Sequence, residues 1–453
     1  MQNIAPFCAW RYKSNRVGDL DQLIAPPYDV IDEALQSCLY ARSPYNIVRV
    51  DLGKTTSSDN DCDNRYTRAA SQLQEWKNSQ ILLRDAKPSV TFVEEEFTGP
   101  DRQTRTRRGF LALLKLHEFA DKVVFPHEWT LSGAKEDRFR LLQATQMSLS
   151  PVFILYDLPG DEITKAWQSH SKESVPAQIV RDLEAGDNAP VTRLWQVTDS
   201  AMLELIEKSL THSRYLIADG HHRYETALRY RKYREDNKTN TPACEYALAY
   251  FTNTADPALT IFATHRLVKN VDAAVVAALP QILSENFTVV KLTNGSGQNE
   301  AAADEVAARE AIAKFLEAHP RGAFAMWGPI LDCVYGFYVD NWELMHKSEG
   351  EESLAYKQLD VTILQNFVLK KALGITVEDM AAGTHVDFFK EPDAAFERLA
   401  CADYQVGFFM NPTGLEQVQE VAFGGERMPQ KATFFYPKLP TGLVFHDLSG
   451  DIS

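Results

Sequence analysis

One stretch, residues 216–228 (L-I-A-D-G-H-H-R-Y-E-T-A-L), constrains the fold more than any other part of this sequence. The apolar run at 216–218 is short and is typical of a buried strand. Gly220 then allows the backbone to turn without a Cβ clash. Beyond the turn, side chains recur at helical spacing, which predicts a helix from about 223 to 235. The stretch therefore predicts a strand, a glycine turn and a helix in direct succession.

The residues at this turn have the chemistry of an anion-binding site. The first backbone N–H groups of a helix have no acceptor within it, and the helix dipole makes that end positive, so a phosphate is a suitable ligand. His221, His222 and Arg223 add donors, and the arginine fork matches phosphate oxygens. Asp219 can contact a magnesium ion or accept a proton from a hydroxyl. The turn thus predicts phosphate contacts from Gly220 onwards, with Asp219 and His222 as catalytic candidates.

Two other interpretations of the same residues stay open. Asp219 can serve as a helix N-cap, with the histidines hydrogen-bonded in a turn. His222 can instead join His127, His221 or His265 in a metal site, although adjacent histidines on a helix point to different faces.

Helices and strands are predicted in irregular alternation along the chain. Strands are predicted at 89–97, 106–116, 322–339, 404–410 and 431–446, the first two forming a hairpin around T-G-P-D. Helical spacing occurs at 66–79, 137–146, 200–210, 271–286, 303–318 and 360–372. This irregular order favours an α+β (mixed α/β) fold over a regular doubly wound sheet.

Polar stretches suggest where the chain divides. Surface loops or joints are predicted at 53–64, 169–176 and 293–304. We expect an N-terminal α/β region with the hairpin at 1–160, a region carrying the turn at 161–292, and a C-terminal α+β region at 293–453.

The composition limits the classes of partner. The chain has 47 Lys and Arg against 62 Asp and Glu, a formal net charge of −15, so it repels nucleic acids and anionic membranes. Its one dense basic run, Arg102–Arg108, lies beside the predicted hairpin turn, where a solvated strand face is expected. No apolar run approaches the roughly 18 residues of a membrane span, and the N-terminus lacks the apolar region of a secretory signal. The sequence predicts a soluble, cytoplasmic protein that binds neither nucleic acid nor membrane.

Five residues outside the turn are further candidates for the site. Glu128, in the Pro-punctuated stretch F-P-H-E-W-T, is the leading general base. His265 and Arg266 follow an apolar run and are expected to contact a phosphate or a substrate carboxylate. Lys431 is expected to reach the nucleotide from the C-terminal region, and Asp29 in A-P-P-Y-D-V-I is a second carboxylate in a rigid turn. A structural role, as an ion pair, a turn residue or a buried pair, stays open for each.

The sequence resembles the bacterial and archaeal domain-of-unknown-function family 1015 along nearly its full length. The resemblance rests first on I-A-D-G-H-H-R-Y-E-T-A at 217–227. Further segments that agree are A-P-P-Y-D-V-I at 25–31, H-E-W-T at 127–130, D-R-F-R-L-L-Q-A-T at 137–145, S-P-V-F at 150–153, T-H-R-L-V at 264–268, N-P-T at 411–413 and M-P-Q-K-A-T-F-F-Y-P-K-L-P-T-G-L at 428–443. The family name implies no activity.

A second resemblance, over some twenty residues, does imply one. The turn is similar to that of the free-serine kinases in the ParB/sulfiredoxin-like superfamily, which have D-G-H-H-R itself. It implies a ParB/sulfiredoxin-like nucleotide-binding core with additional α/β subdomains. Phosphate binding or catalysis is carried over only to the matching residues Asp219, Gly220, His221, His222 and Arg223. The implied reaction is phosphoryl transfer from a nucleotide, with Mg²⁺, to free L-serine.

The expected function is therefore a small-molecule kinase that makes O-phosphoserine. ATP is the expected nucleotide, with ADP and CTP left open, and a homodimer is one expected assembly. The alternative is a nucleotide-binding regulatory or switch protein of the ParB-like type, without small-molecule kinase activity. A metal-dependent enzyme that uses the histidines is a third expectation.

Overall fold

Contacts between residues divide the chain into two compact units. The computed structural model describes residues 3–130, 132–172, 174–181, 189–293, 301–346, 350–401 and 403–453. The first unit comprises Met1–Pro126, Thr130–Thr260 and Phe435–Ser453, and the second comprises His127–Trp129 and Ile261–Phe434. The three consecutive regions predicted from the sequence stay a prediction, since these two units follow contacts rather than chain order.

The first unit is built on a nine-stranded mixed sheet. In spatial order its strands are Val124–Phe125, Tyr215–Asp219, Val152–Tyr156, Tyr246–Asn253, Thr104–Lys115, Val90–Thr98, Val191–Val197 and Gln178–Arg181, with Ile4–Ala5 on Thr104–Lys115. Tyr215–Asp219 is parallel to Val124–Phe125 and antiparallel to Val152–Tyr156, which in turn is parallel to Tyr246–Asn253. The strand before the glycine turn is therefore an inner strand, which explains its apolar sequence.

Helices and short strands complete the first unit. Its helices are Ser14–Val17, Glu33–Arg42, Val48–Asp51, Arg65–Asn78, Ser132–Thr145, Glu162–Ser171, Ser200–Leu210 and His221–Asp236. Short 3-10 turns occur at Leu20–Gln22, Tyr28–Val30, Phe119–Asp121 and Pro242–Glu245, and two-stranded pairs join Trp10–Tyr12 to Leu82–Arg84 and Met147–Ser148 to His446–Asp447. The buried face of the sheet packs large apolar side chains, among them Phe92, Phe110 and Trp167.

The second unit contains a six-stranded antiparallel sheet. Its strands in spatial order are Thr288–Lys291, Tyr335–Tyr338, Ala323–Trp327, Val406–Met410, His265–Val268 and Val386–Phe389. Its α-helices are Ala273–Leu283, Ala301–Ala318, Glu343–His346, Leu354–Lys357, Asp360–Ile363, Val377–Ala382, Pro392–Ala400 and Leu415–Phe423, with a π-helix at Leu364–Ala372. Strands Thr260–Phe262 and Phe434–Tyr436 lie where the chain passes from one unit to the other.

The mixed α/β prediction is confirmed, and most predicted elements occur. The main error is the strand predicted at 431–446, which contains only Phe434–Tyr436 and His446–Asp447. Pro437 and Pro440 have no N–H to donate to a ladder, and Gly442 has a φ of +104°. Of the loop predicted at 293–304, residues 294–300 lie outside the described residues. None of the helices in the described parts of the chain is both long and apolar enough to cross a membrane.

The basic run near the hairpin differs from the predicted solvated strand face. Arg108 is half-buried and pairs across the hairpin with Glu94 at 3.2 Å. Arg107 is fully buried and pairs with Glu95 at 2.7 Å, since consecutive strand residues point to opposite faces. One arginine of the run is therefore part of the core.

Candidate functional site

The predicted strand, turn and helix are present at 215–236. The strand Tyr215–Asp219 leads through Gly220, whose φ is +90°, into the helix His221–Asp236. The first hydrogen bond of the helix runs from the N–H of Tyr224 to the carbonyl of Gly220 at 3.0 Å. The N–H groups of residues 221–223 consequently have no acceptor within the helix. This is the positive end of a sixteen-residue helix.

Asp219 and Arg223 form an ion pair across this turn. Nη2 of Arg223 donates to Oδ2 of Asp219 at 2.5 Å, and Nη1 donates to the carbonyl of Pro151. Gly220 leaves the space for this arrangement, because a Cβ there would lie 2.9 Å from Nε of Arg223. A phosphate contact from Arg223 would require one of these hydrogen bonds to be exchanged. The alternative of Asp219 as an N-cap does not apply, because the cap position is Gly220.

A second cation reaches Asp219 from the C-terminal part of the first unit. Nζ of Lys438 lies 3.2 Å from Oδ1 of Asp219 and donates to Oδ2 of Asp29 at 2.6 Å. Burial by itself lowers the pKa of the Lys438 ammonium, but the carboxylates of Asp219 and Asp29 outweigh it, so this pKa lies above its usual value. We refer to Asp29, Asp219, Arg223 and Lys438 as the turn cluster.

The two histidines of the turn differ in exposure. The side chain of His221 is buried, whereas His222 is half-buried. His222 is therefore the histidine of the turn that is the more accessible to a ligand. Among the described residues, no group of three or more His, Cys, Asp or Glu could hold a metal ion. Two carboxylates, Asp29 and Asp219, fit Mg²⁺, which commonly takes one or two carboxylates together with substrate phosphates.

The remaining predicted residues lie in the second unit. Glu128 accepts a hydrogen bond at Oε1 from the backbone N–H of Lys431 at 2.7 Å. The same segment is held by a bond from the N–H of Met428 to the carbonyl of His127 at 2.7 Å, and by His127 Nε2 against the Thr433 hydroxyl at 2.9 Å. The contact to Glu128 comes from the backbone of Lys431, so the side-chain role predicted for this lysine stays a prediction.

His265 and Arg266 begin the strand His265–Val268 and are both buried. Burial lowers the pKa of His265 to about 3, with Arg266 acting in the same direction. Burial lowers the pKa of Arg266 to about 10, and Glu128 opposes this shift. Nη1 of Arg266 donates to the carbonyl of Thr264 and lies 2.9 Å from the sulfur of Met410. These are the contacts of an internal residue.

The predicted residues thus fall into two sets. The turn residues 219–223 lie in the first unit, and Glu128, His265, Arg266 and Lys431 lie in the second. The lysine predicted from the sequence was Lys431, whereas Lys438 is the lysine that contacts Asp219. The available signal was the flanking prolines of P-K-L-P at 437–440, which hold a polar residue in an ordered loop.

Comparison with known proteins gives a family and several distant similarities. A family profile described as protein of unknown function, DUF1015, matches residues 4–362, and no curated protein matches the sequence. A free serine kinase variant in complex with ADP is similar at 14% identity and a TM-score of 0.35, over 74% of this chain and 91% of that chain. A free serine kinase in complex with AMP is similar at 14% identity and a TM-score of 0.36, over 74% of this chain and 91% of that chain. A conserved hypothetical protein from Pyrococcus furiosus is similar at 14% identity and a TM-score of 0.33, over 74% of this chain and 95% of that chain. The family match includes the turn and Asp29 and ends before Lys438.

Proposed function

The chain belongs to the DUF1015 family of proteins of unknown function, and we propose that it is a nucleotide-dependent phosphotransferase acting on the hydroxyl of a small molecule. We further propose that free L-serine is the acceptor and O-phosphoserine the product. The observation that carries this proposal is the turn cluster, in which Lys438 and Arg223 flank Asp219 at the N-terminus of a long helix.

A nucleotide phosphate would bind at the helix N-terminus. The N–H groups of 221–223 and the helix dipole favour an anion there, and His222 would donate to the transferred group. Lys438, kept protonated by Asp29 and Asp219, would stabilise charge that develops on the phosphoryl oxygens. Phosphoryl transfer needs mainly such positioning and charge stabilisation, so this small set of residues is sufficient for the chemistry.

Asp219 would position the cations of the cluster. It holds Arg223 and Lys438 on opposite carboxylate oxygens, and together with Asp29 it would hold Mg²⁺. Bound Mg²⁺ would neutralise charge on the nucleotide phosphates. In the reaction the acceptor oxygen bonds to the terminal phosphorus, the bond to the bridging oxygen of the nucleotide breaks, and the hydroxyl proton leaves to a base. Glu128 remains the proposed base, and His265, Arg266 and Lys431 remain proposed nucleotide contacts.

The choice of L-serine, and of a ParB/sulfiredoxin-like core, rests on the motif D-G-H-H-R at 219–223, which resembles that of the free-serine kinases. ATP is the proposed phosphoryl donor, with ADP and CTP as the alternatives to be tested. The same motif supports a nucleotide switch equally well at the level of binding, so a serine-dependent product is the result that separates the two functions.

The test is an assay of the purified full chain with MgCl₂, L-serine and ATP, ADP or CTP in turn. O-phosphoserine is measured by mass spectrometry, with reactions lacking serine as blanks. We expect serine-dependent product with at least one nucleotide, and at least a 10-fold lower rate for His222→Ala. His212→Ala, which changes an exposed histidine of the first unit, is the matched control and should keep the wild-type rate. Nucleotide consumption that is independent of serine, with no phosphoserine, would contradict the kinase.

A further inference from the structure

A small cavity, partly open to the surface, lies beside the turn cluster in the first unit. It has a volume of about 60 Å³, and its walls are largely apolar, formed by residues such as Leu141, Met147 and Leu248. Polar side chains also line it, three of them charged: Asp51, Arg138, Arg223, Thr226, Ser148, Ser150 and Tyr246. At about 10–15 Å³ for one water, this volume corresponds to a ligand of roughly four to six non-hydrogen atoms or slightly more.

Three of these polar side chains have a buried atom without a hydrogen-bond partner among the described residues. These atoms are Oδ2 of Asp51, Nε of Arg223 and Oγ1 of Thr226. Asp51 and Thr226 are each only 4% exposed. A buried polar atom without a partner is unfavourable and uncommon, so three such atoms in residues around one cavity point to a ligand that supplies the missing bonds.

The other charged atoms of Asp51, Arg138 and Arg223 are already paired. Nη1 of Arg138 donates to Oδ1 of Asp51 at 2.9 Å, and its Nε and Nη2 donate to Asp137. Arg223 uses both terminal nitrogens on Asp219 and Pro151. What is left is one carboxylate oxygen that can only accept, one guanidinium N–H that can only donate, and a hydroxyl that can do either.

The signs of these groups define the ligand. A simple anion would meet the oxygen of Asp51, and a simple cation would meet the guanidinium of Arg223, each an unfavourable contact in a site of low dielectric. A zwitterion satisfies both, with its ammonium on Asp51 and its carboxylate on Nε of Arg223. We propose that this cavity binds the zwitterionic head of a small α-amino acid, with a side chain no larger than that of serine.

The size and walls of the cavity agree with this class. Glycine, alanine and serine have about five to seven non-hydrogen atoms, close to the number that the volume admits. Burial raises the pKa of Asp51, an unfavourable effect that an ammonium ligand would offset. Thr226 offers a third hydrogen bond to the carboxylate or to a side-chain hydroxyl.

This inference rests on the proposed function, for which it supplies the acceptor site. Arg223 connects the two places, because its side chain lines the cavity and has the unpartnered Nε, while its Nη2 holds Asp219. An amino acid bound at Nε would therefore contact the same guanidinium group that pairs with Asp219 at the proposed phosphate-binding turn.

The test is calorimetric titration of the full chain, without nucleotide, with L-serine, L-alanine, propionate and ethylamine. We expect both amino acids to bind at least 10-fold more tightly than propionate or ethylamine, which each lack one charge. Ala227→Leu, which fills the cavity without changing any charge, should abolish binding. Asp51→Asn should weaken it at least 10-fold, with circular dichroism used to verify folding.

A matched pair of threonines provides the control. Thr226 and Thr441 are both buried in the first unit with an unpartnered hydroxyl, but only Thr226 lines the cavity. Thr226→Val should weaken alanine binding several-fold, and Thr441→Val should leave it unchanged.

The inference is overturned if neither amino acid binds, if propionate binds as tightly as alanine, or if folded Ala227→Leu binds as the wild type does. The proposed function fails separately, if amino acids bind but no nucleotide yields phosphorylated product.

Discussion

The molecule contains two His-Arg pairs beside strands, and their surroundings differ sharply. His222-Arg223 follows the strand Tyr215–Asp219, and Arg223 meets the carboxylate of Asp219, with Lys438 close by. His265-Arg266 begins a strand, and Arg266 meets a carbonyl, a methionine sulfur and the ring of Phe388. Beside the first pair, carboxylates raise the pKa of Lys438. In the second pair, burial lowers the pKa of both His265 and Arg266. The same dipeptide therefore acquires different chemistry from the partners that folding brings to it.

The largest effect is expected from removing the cation of the turn cluster. Lys438→Met leaves Asp29 and Asp219 without the ammonium between them. Removing one partner of this partly buried ion pair leaves two carboxylates without this counter-charge. We therefore expect a loss of about 1–3 kcal/mol in chemical denaturation. Phosphoserine formation should fall at least 100-fold. Lys208→Met, at an exposed lysine, should change the free energy of unfolding by less than about 0.5 kcal/mol. If Lys438→Met has the same free energy of unfolding as the wild type, the ion pairs of Lys438 do not distinguish the region of His222-Arg223 from that of His265-Arg266.

The next effect concerns the pH dependence of the second pair. His265 has a pKa of about 3 when folded and near 6.5 when unfolded, so the unfolded state binds the proton more readily. Its stabilising contribution is complete above about pH 6.5 and is lost as the pH falls towards 3, at about 1.4 kcal/mol per pH unit.

Unfolding measured between pH 6.5 and 5 should therefore show a smaller slope in His265→Gln than in the wild type. His446 in the first unit, with a pKa lowered by burial to about 4, contributes in the same direction and should remain in that variant. Equal slopes in the two proteins would show that His265 is not buried in its neutral form.

A third prediction compares two glycines to distinguish the cost of backbone strain from the cost of a steric clash with Arg223. Gly220 and Gly425 have nearly equal φ values, +90° and +87°. A Cβ at Gly220 would lie 2.9 Å from Nε of Arg223, whereas one at Gly425 would have nothing within 4 Å. Both alanine variants should lose about 1 kcal/mol or more from the left-handed conformation.

Gly220→Ala should lose about 1 kcal/mol beyond that, because Arg223 must move, and should also lose phosphotransferase activity. Thermal and chemical unfolding of the two variants provide the comparison. Equal losses would indicate that Arg223 is not held against the turn.

The smallest effect is expected at the second arginine. Replacing a buried charge by a well-packed apolar side chain is often neutral or stabilising, and methionine has nearly the length of arginine. Arg266→Met should therefore change the free energy of unfolding by no more than about 1 kcal/mol. A loss of about 3 kcal/mol in chemical denaturation would mean that Arg266 is paired as strongly as Lys438.

Local features of the site could be predicted from the sequence, and distant ones could not. The strand, Gly220 and the helix depend on neighbouring residues, and the structure differs only in starting the helix at His221 instead of about 223. Lys438 and Asp29 reach the turn from positions more than 180 residues away, and no local pattern contains that information. The exposed strand face predicted for Arg102–Arg108 failed at Arg107 because charge patterning does not record which face of a hairpin is covered. Whether Glu128 serves as the base remains a prediction, because no local sequence pattern shows which distant groups lie beside its carboxylate.

Binding of nucleotide phosphate by the turn at 219–223 can be measured by calorimetric titration. ATP, ADP and CTP are titrated with MgCl₂ into the wild type, His222→Ala and the control His212→Ala. We expect at least one nucleotide to bind, with an affinity at least 10-fold weaker in His222→Ala and unchanged in His212→Ala. Absence of binding for all three nucleotides, or equal affinity in His222→Ala and the wild type, would contradict it.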